Sequence, residues 1–541
     1  MQNAHKLFVG VDVGTGSARA GVFNREGACL GSAAHDITTY RSEAGIVEQS
    51  SHNIWDRVCQ SVRQAVAEAG IKPQDVAGIG FDATCSLVAV DTKGKPLTVS
   101  QSGKNSRNVI VWMDHRAIDQ AERINATGHR VLDYVGGRIS PEMETPKLLW
   151  LKENLPDTYQ KAGHFFDLAD FLTWRATGDL SRSVCTVTCK WTYLAHEKAW
   201  DRSYFETVGL AELADADFAR IGQSVVDVGT PLGDGLTIHA AEALGLEPGT
   251  AVGAGLIDAH AGGIGTIGAT GPHEGATARM AYVFGTSACT MSSSADKAFV
   301  PGVWGPYYSA MVPGLWLSEG GQSAAGHAIA QLVKFHPAYP AARLAAKKAG
   351  CGVLDYLLGK LSEKDLRPSE IALLAKDIVV VPEFLGNRAP FADPEAKAII
   401  SGLDHDATED SLVALYVAGI LGLGYGLRQI LDVQSANGVR PELVVISGGA
   451  GADPIIKQLM ADAAGIPFAE PETVEPVLLG SAMLGAVAAG QYETVTDAMQ
   501  AMSSLGARYD PAGGELRTLH KRRFVAFEAL QKGARTARGA A

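Results

Sequence analysis

The chain has 541 residues, 46% of them hydrophobic, and a formal net charge of −12 at pH 7, with a mean hydropathy of +0.05. That length exceeds one ordinary core and implies two large domains, and the composition is that of a globular chain rather than a disordered or membrane-embedded one. The acidic balance argues against general nucleic-acid binding, which rewards surplus Lys and Arg.

Residues 8–23, FVGVDVGTGSARAGVF, run from an apolar strand through Asp12 and a Gly-Thr-Gly-Ser loop into a second apolar strand. A glycine-rich turn with many backbone N–H donors suits an anion, most often a phosphate. A tight hairpin closed by an Asx turn is the plainer reading. Residues 54–70 carry apolar positions at helical spacing and end on Gly70. Residues 76–82 read as a short buried strand, 86–97 as the next hairpin and 140–156 as a helix with Pro141 and Pro146 near its start. Residues 250–265 read as a buried strand leading into a small-residue helix.

The pattern then restarts. Residues 280–294, MAYVFGTSACTMSSS, are again strand, Gly-Thr-Ser turn and strand. The longest apolar run, 412–427, is shorter than the ~20 residues of a spanning helix, and its glycines suit a tightly packed interior helix. Residues 442–465 read as strand, glycine-rich turn and helix. Strands alternating with helices imply an α/β layered fold, and the repeated hairpin-plus-hydroxyl loop suggests two similar domains facing each other. The basic cluster HKRRF at 520–524 reads as the solvated face of a last helix, with 534–541 a loose tail.

Seven cysteines, at 29, 59, 85, 185, 189, 289 and 351, are odd in number and scattered, so reduced thiols and a cytoplasmic setting are expected. Cys185 and Cys189 lack a second pair, which argues against a zinc site. No secretory signal is expected ahead of the first strand.

A Walker A loop is absent. Gly263, Gly265 and Gly268 match G-x-G-x-x-G, but no strand immediately precedes them and no acidic residue follows at the ribose-binding distance. They read as close packing in a helix. In the opening loop Arg19 occupies the third glycine position and a strand follows, so Rossmann-type binding fails there too. Three loops fit another arrangement. Gly14, Thr15, Gly16 and Ser17 can hold one end of a polyphosphate, and Gly285, Thr286 and Ser287 can hold it from the opposite side. Residues 447–454, SGGAGADP, offer a glycine-lined surface at a helix start, flat enough for a nucleobase and ribose.

Together with WMDHRA, GLIDAHAGGIG, EGGQSAAG and FLGNRAPFADPEAKAIISGL, these loops resemble the FGGY family of carbohydrate kinases over nearly the whole chain. Within that family, DATCSLV (82–88) and NVIVWMDHRA (108–117) most resemble the D-ribulokinase group. The resemblance implies two actin-like, ribonuclease H-like α/β domains around a cleft. Residues 1–270 would bind sugar and supply the base, and 271–541 would bind ATP. No membrane association is implied. A homodimer is common in such a family, though no residue here identifies its interface.

The resemblance makes Asp258, at the end of the strand before the small-residue helix, the catalytic base, kept ionised by helix N–H groups. An N-cap role is the ordinary explanation for such an aspartate and is compatible with catalysis. Asp12 would hold Mg²⁺, through water, against the alternative of an Asx-turn cap. Thr15, Ser17, Thr286 and Ser287 would contact phosphate. Gly448, Gly449, Ala450 and Gly451 would face adenosine, with Gly480 and Ser481 as weaker candidates. Asp114, Lys190 and Glu319 would hold the sugar, and Ser86 and Cys85 would line or support its pocket. Arg116 can pair with Asp114. His115 and His260 show no paired acid in the sequence and read as packing. Arg388 could meet a phosphate or brace its loop. The expected reaction is ATP-dependent phosphorylation of the terminal hydroxyl of D-ribulose, with ribitol, L-ribulose or xylulose as alternatives. A non-enzymatic actin-like ATPase or sugar sensor is the rival of another class.

Overall fold

In the computed structural model, which describes residues 6–42, 45–269 and 275–539, the opening segment forms a hairpin of β1 (Leu7–Val13) and β2 (Ser17–Phe23). Every residue of β1 is buried, because this strand lies in mid-sheet with layers on both faces. β3 (Cys29–Asp36) continues the sheet antiparallel to β2. Then α1 (Ser51–Glu68) packs on it through Ile54, Trp55, Val58, Val62 and Ala65, a helical stripe started by Ser50, which accepts from Asn53 N. β4 (Val76–Ala83) adds parallel to β1. Further along come α2 (Val184–Lys190), β5 (Ala251–Val252), β6 (Leu256–Ile257) and α3 (Asp258–Ile267). The sheet order is β5-β4-β1-β2-β3, with β6 also pairing with β4.

The second half repeats this order. β7 (Arg279–Phe284) and β8 (Ala288–Ser294) form the hairpin, followed by β9 (Trp304–Tyr308) and β10 (Trp316–Gln322). Next come α4 (Glu409–Ala436), β11 (Leu443–Ser447), α5 (Pro454–Ala464), β12 (Phe468–Pro471), α6 (Pro476–Ala488), β13 (Leu505–Tyr509) and α7 (Gly514–Ala537). Its order is β9-β10-β8-β7-β11-β12-β13. In each sheet an antiparallel third strand flanks the hairpin on one side, and a parallel fourth and fifth strand extend it on the other. The repeat seen in the two hydroxyl loops is therefore a repeat of topology.

The apolar run at 412–427 belongs to the 28-residue α4. By length and composition this helix could cross a membrane, but 78% of its apolar window is buried inside the protein. It is the core helix of the second half. Its glycines allow contact at backbone distance: a Cβ at Gly422 would stand 2.3 Å from the carbonyl oxygen of Val380.

α6 couples the halves. A Cβ at Gly480 would come within 2.0 Å of Ala261 O on α3, and one at Gly80 on β4 within 1.9 Å of Ser481 O. Ser481 Oγ donates to Asp82 Oδ2 at 2.5 Å. Gly480 and Ser481, expected near adenosine, are instead packed between the first sheet and α3, where glycine at positions 80 and 480 lets the backbones approach so closely. Gly265 likewise faces Pro476 O, which agrees with its reading as a packing residue.

Other expectations change. The turn at residues 91–94 forms, but its return strand is reduced to an isolated bridge between Val90 and Pro96. α7 runs through Ala537, so the first four residues of the expected loose tail are helical, and residues 540–541 lie outside the described residues. Within HKRRF, His520, Arg523 and Phe524 are buried, because Arg523 donates to the carbonyls of Ala375 and Ile378 at the second half's edge. The expected boundary at 270/271 falls outside the described residues.

Candidate active site

A cleft of about 410 Å³ lies between the two sheets. Asp12, the Gly14–Ser17 turn, Cys85, Trp112, Lys190 and Asp258 enter it from the first half, and Ser287, Cys289, Trp304, Glu319 and Arg388 from the second. A larger pocket of about 570 Å³ beside Phe335, Leu403 and Asp410 holds none of the expected site residues.

The two hydroxyl turns close in similar ways. Gly14 N donates to Ser17 O at 3.0 Å and Gly285 N to Ser287 O at 2.9 Å. A Cβ at Gly16 would meet nothing within 4 Å, so the loop backbone is open for an anion to approach. Ser287 lines the cleft, whereas Gly285 and Thr286 give their carbonyls to Gly326 N and Ala325 N, at the start of the helix Gly326–Lys334. Gly448, Gly449, Ala450 and Gly451 form the turn between β11 and α5 and lie outside the 410 Å³ volume. Gly448 has φ +97° and packs so tightly on Phe284 O that a Cβ would stand 2.5 Å away.

Asp12, next to last in its buried strand, faces Arg19, whose Nε donates to Oδ2 at 2.8 Å and whose Nη2 meets the same oxygen. Arg19 Nη1 reaches Glu475 Oε2 at 2.9 Å. Both bonds from Arg19 fall on Oδ2, so Oδ1 takes none from it. A carboxylate oxygen at the cleft beside open backbone is a hard donor that fits a hydrated Mg²⁺.

Asp258 is the first residue of α3 rather than its cap, and its Oδ1 accepts from Ala259 N at 2.8 Å. The N–H bond favours the charged form, as expected, but burial and then the Asp12 charge outweigh it and raise the carboxyl to about 6. The carboxyl is thus mostly ionised at neutral pH yet close to the range where a proton acceptor works best.

Lys190 Nζ and Glu319 Oε2 face each other at 3.9 Å. Burial would raise the Glu319 carboxyl, but Lys190 first and His260 next pull it down to about 2. Burial would lower Lys190, but Glu319 and its other neighbours hold it well above its usual value. Lys190 Nζ also lies 4.8 Å from the Trp304 ring centroid, with Arg388 Cζ at 5.8 Å.

Asp114 and Ser86 do not line the cleft. Asp114 is buried and accepts from Val47 N, Arg116 N, Arg116 Nε and Arg116 Nη2, so its oxygens are already engaged. Ser86 Oγ accepts from Trp112 N at 3.2 Å. Both residues brace the turn that carries Trp112, whose Nε1 donates to Thr15 Oγ1 at 3.0 Å. The two histidines do have acidic partners, contrary to expectation: His115 Nε2 meets Glu142 Oε1 at 3.2 Å, and His260 Nε2 meets Glu319 Oε2 at 3.4 Å. Folding pairs residues too distant in sequence to be linked by spacing. Arg388 enters the cleft over Cys289 Sγ at 3.7 Å, and among the described residues no carboxylate pairs with it within 4 Å. Trp304 carries no sequence signal that marks it, and Cys289, Glu142 and Trp112 were visible only as parts of the segments around them.

This two-sheet architecture and its cleft occur in known proteins. The N-terminal domain of the FGGY family of carbohydrate kinases matches residues 7–265, and the C-terminal domain of that family matches 280–489. The chain belongs to the FGGY family of carbohydrate kinases. An FGGY carbohydrate kinase domain-containing protein from Homo sapiens is 45% identical over 514 residues, covering 93% of this chain and 92% of the relative. A D-ribulokinase from Saccharomyces cerevisiae is 38% identical over 519 residues, covering 90% of this chain and 72% of the relative. In fold, the crystal structure of a "xyloylose kinase" from Brucella ovis superposes with a TM-score of 0.81 at 19% identity, over 98% of this chain and all of the other. This FGGY chain is accordingly a carbohydrate kinase, and the non-enzymatic reading is set aside.

Proposed function

We propose that this kinase transfers the terminal phosphoryl group of ATP to the terminal hydroxyl of D-ribulose, giving D-ribulose 5-phosphate. The observation that carries the reading is the meeting of Asp258, Lys190 and Glu319 in one cleft between two hydroxyl turns, in a chain 38% identical to a D-ribulokinase. Asp258 accepts the proton of the attacking hydroxyl through its carboxylate. Lys190 donates to the ketose oxygen and Glu319 accepts from a sugar hydroxyl, groups that an aldose or a shorter polyol would leave unpaired. Thr15, Ser17, Thr286 and Ser287 hold phosphate oxygens, and Gly448 to Gly451 hold the adenosine side. Residues 1–270 and 271–541 act as the two closing domains, and closure excludes water from the transfer. Mg²⁺ held by Asp12 would supply charge neutralisation on the polyphosphate.

The test is sugar-dependent ADP release with Mg-ATP and a panel of D-ribulose, L-ribulose, xylulose, ribitol and glycerol. The highest kcat/KM on D-ribulose supports the proposal. A clear preference for another member overturns the substrate and leaves the kinase.

A further inference from the structure

Beneath the cleft floor three buried side chains converge. Cys185 and Cys189 lie one turn apart on α2, and His260 lies on α3. Their two sulfur atoms and an imidazole nitrogen all lie within 4.8 Å of one another, with Cys185 Sγ 3.1 Å from His260 Nδ1. Neither cysteine lines the cleft, and neither has a part in the proposed phosphoryl transfer. Two further contacts surround the cluster. Ile257 N donates to Cys185 Sγ at 3.4 Å, and the far ring nitrogen of His260, Nε2, faces Glu319 Oε2 at 3.4 Å.

We propose that Cys185, Cys189 and His260 form a binding site for a thiophilic transition-metal ion of the Zn²⁺ type. Two sulfurs and an imidazole nitrogen suit such an ion and not Mg²⁺, which takes oxygen ligands. The surroundings match the outer support of metal ligands: a backbone N–H on a thiolate sulfur, and a carboxylate on the distal nitrogen of the histidine. Binding forms two metal–sulfur bonds and one metal–nitrogen bond, to Nδ1, and releases the two thiol protons to solvent. His260 stays neutral, with its Nε2–H directed at Glu319. No oxidation or reduction takes place. Charges balance as well, because the two thiolates offset the dication while Lys190 offsets Glu319. Three protein ligands leave one tetrahedral position for a small ligand such as water. The ion ties α2 to α3 directly ahead of Lys190 and two residues beyond Asp258, so its role is to hold the two helices that carry these groups.

The Cys-x-x-x-Cys pair alone gives only part of a ligand set, and the third donor joins it only on folding.

The experiment reads metal and not turnover, so its outcome is independent of which sugar is phosphorylated. Full-length protein is purified without chelators from zinc-supplemented cells, desalted and assayed for metal by elemental mass spectrometry. About one zinc per chain is expected. The reduced, metal-stripped protein titrated with Co²⁺ should develop a thiolate-to-cobalt charge-transfer band. Cys189→Ser should weaken binding on the order of 10-fold or more, Cys189→His should retain it by replacing the ligand, and Cys351→Ser, at an exposed cysteine, should match wild type. Wild-type protein that is folded but carries clearly substoichiometric zinc and shows no cobalt band overturns the proposal. So does a Cys189→Ser variant that keeps full metal content. These readings stand on wild type and Cys189 variants, so a Cys185 variant that fails to fold does not affect them.

Discussion

Glu319 on β10 stands 3.9 Å from Lys190 on α2, and each residue comes from a different half of the chain. Both are buried, so either charge left alone would carry a large desolvation penalty. The pair makes the cleft floor complete only when the two halves are together.

Lys190→Met removes the cation and leaves Glu319 facing His260. The KM for the sugar is expected to rise on the order of 10-fold or more, from loss of a charged hydrogen bond, with the KM for ATP little changed. In combination with Glu319→Gln the two losses should not add, because the residues share one interaction. Steady-state kinetics on the two single variants and the double variant check this. Strict additivity would separate the two residues functionally.

Asp258→Asn keeps the size of the side chain but removes its proton-accepting charge. Turnover should fall roughly 10²- to 10⁴-fold, the usual contribution of a general base. ATP affinity by calorimetry and the thermal midpoint should stay near wild type. Retained turnover would reassign the base.

The α6 packing predicts opposite effects for two glycine-to-alanine changes. Gly480→Ala sets a methyl 2.0 Å from Ala261 O, so one backbone must move, at a cost of about 1–3 kcal/mol. Gly359 sits inside the helix Val353–Ser362, with nothing within 4 Å of its would-be Cβ. Gly359→Ala should therefore stabilise by about 0.5–1 kcal/mol. Denaturant melts of both variants against wild type test the contrast, and equal effects would contradict it.

His520 predicts a pH dependence of stability. It is buried on α7, its Nδ1 meets Tyr425 OH at 2.9 Å, and its pKa is lowered to about 4, first by burial and then by the charges of Arg523 and Arg428. Between pH 6.5 and 4 the unfolded chain binds this proton and the folded one does not. The stability that His520 contributes is therefore fully present above pH 6.5 and is lost as pH falls toward 4. His520→Gln removes that titration. From pH 7.5 to 5, wild type should lose about 2 kcal/mol more than the variant. Parallel losses in urea melts would show that His520 titrates normally.

Much of the cleft was legible because the two hydroxyl turns and the helix start at Asp258 are local features. Gly14 to Ser17 and Gly285 to Ser287 sit between apolar strands, and their chemistry is written in consecutive residues. Lys190 and Glu319 were legible through family resemblance rather than through spacing. Asp114 shows where that reading stops. Its motif marks it, but the bonds from Arg116 and Val47 that occupy it depend on strands meeting in space.

The sequence by itself determined the alternation of strands and helices, the doubled hairpin and the small-residue helix within 250–265, since periodicity and glycine placement act over a few residues. Only the tertiary structure decided that Gly480 and Ser481 would pack between the first sheet and α3, that His260 would meet both Cys185 and Glu319, and that three of the five residues of HKRRF would be buried. Each of these depends on which surfaces come together when the two halves bury their apolar faces, and contacts between distant segments leave no periodic mark in either one.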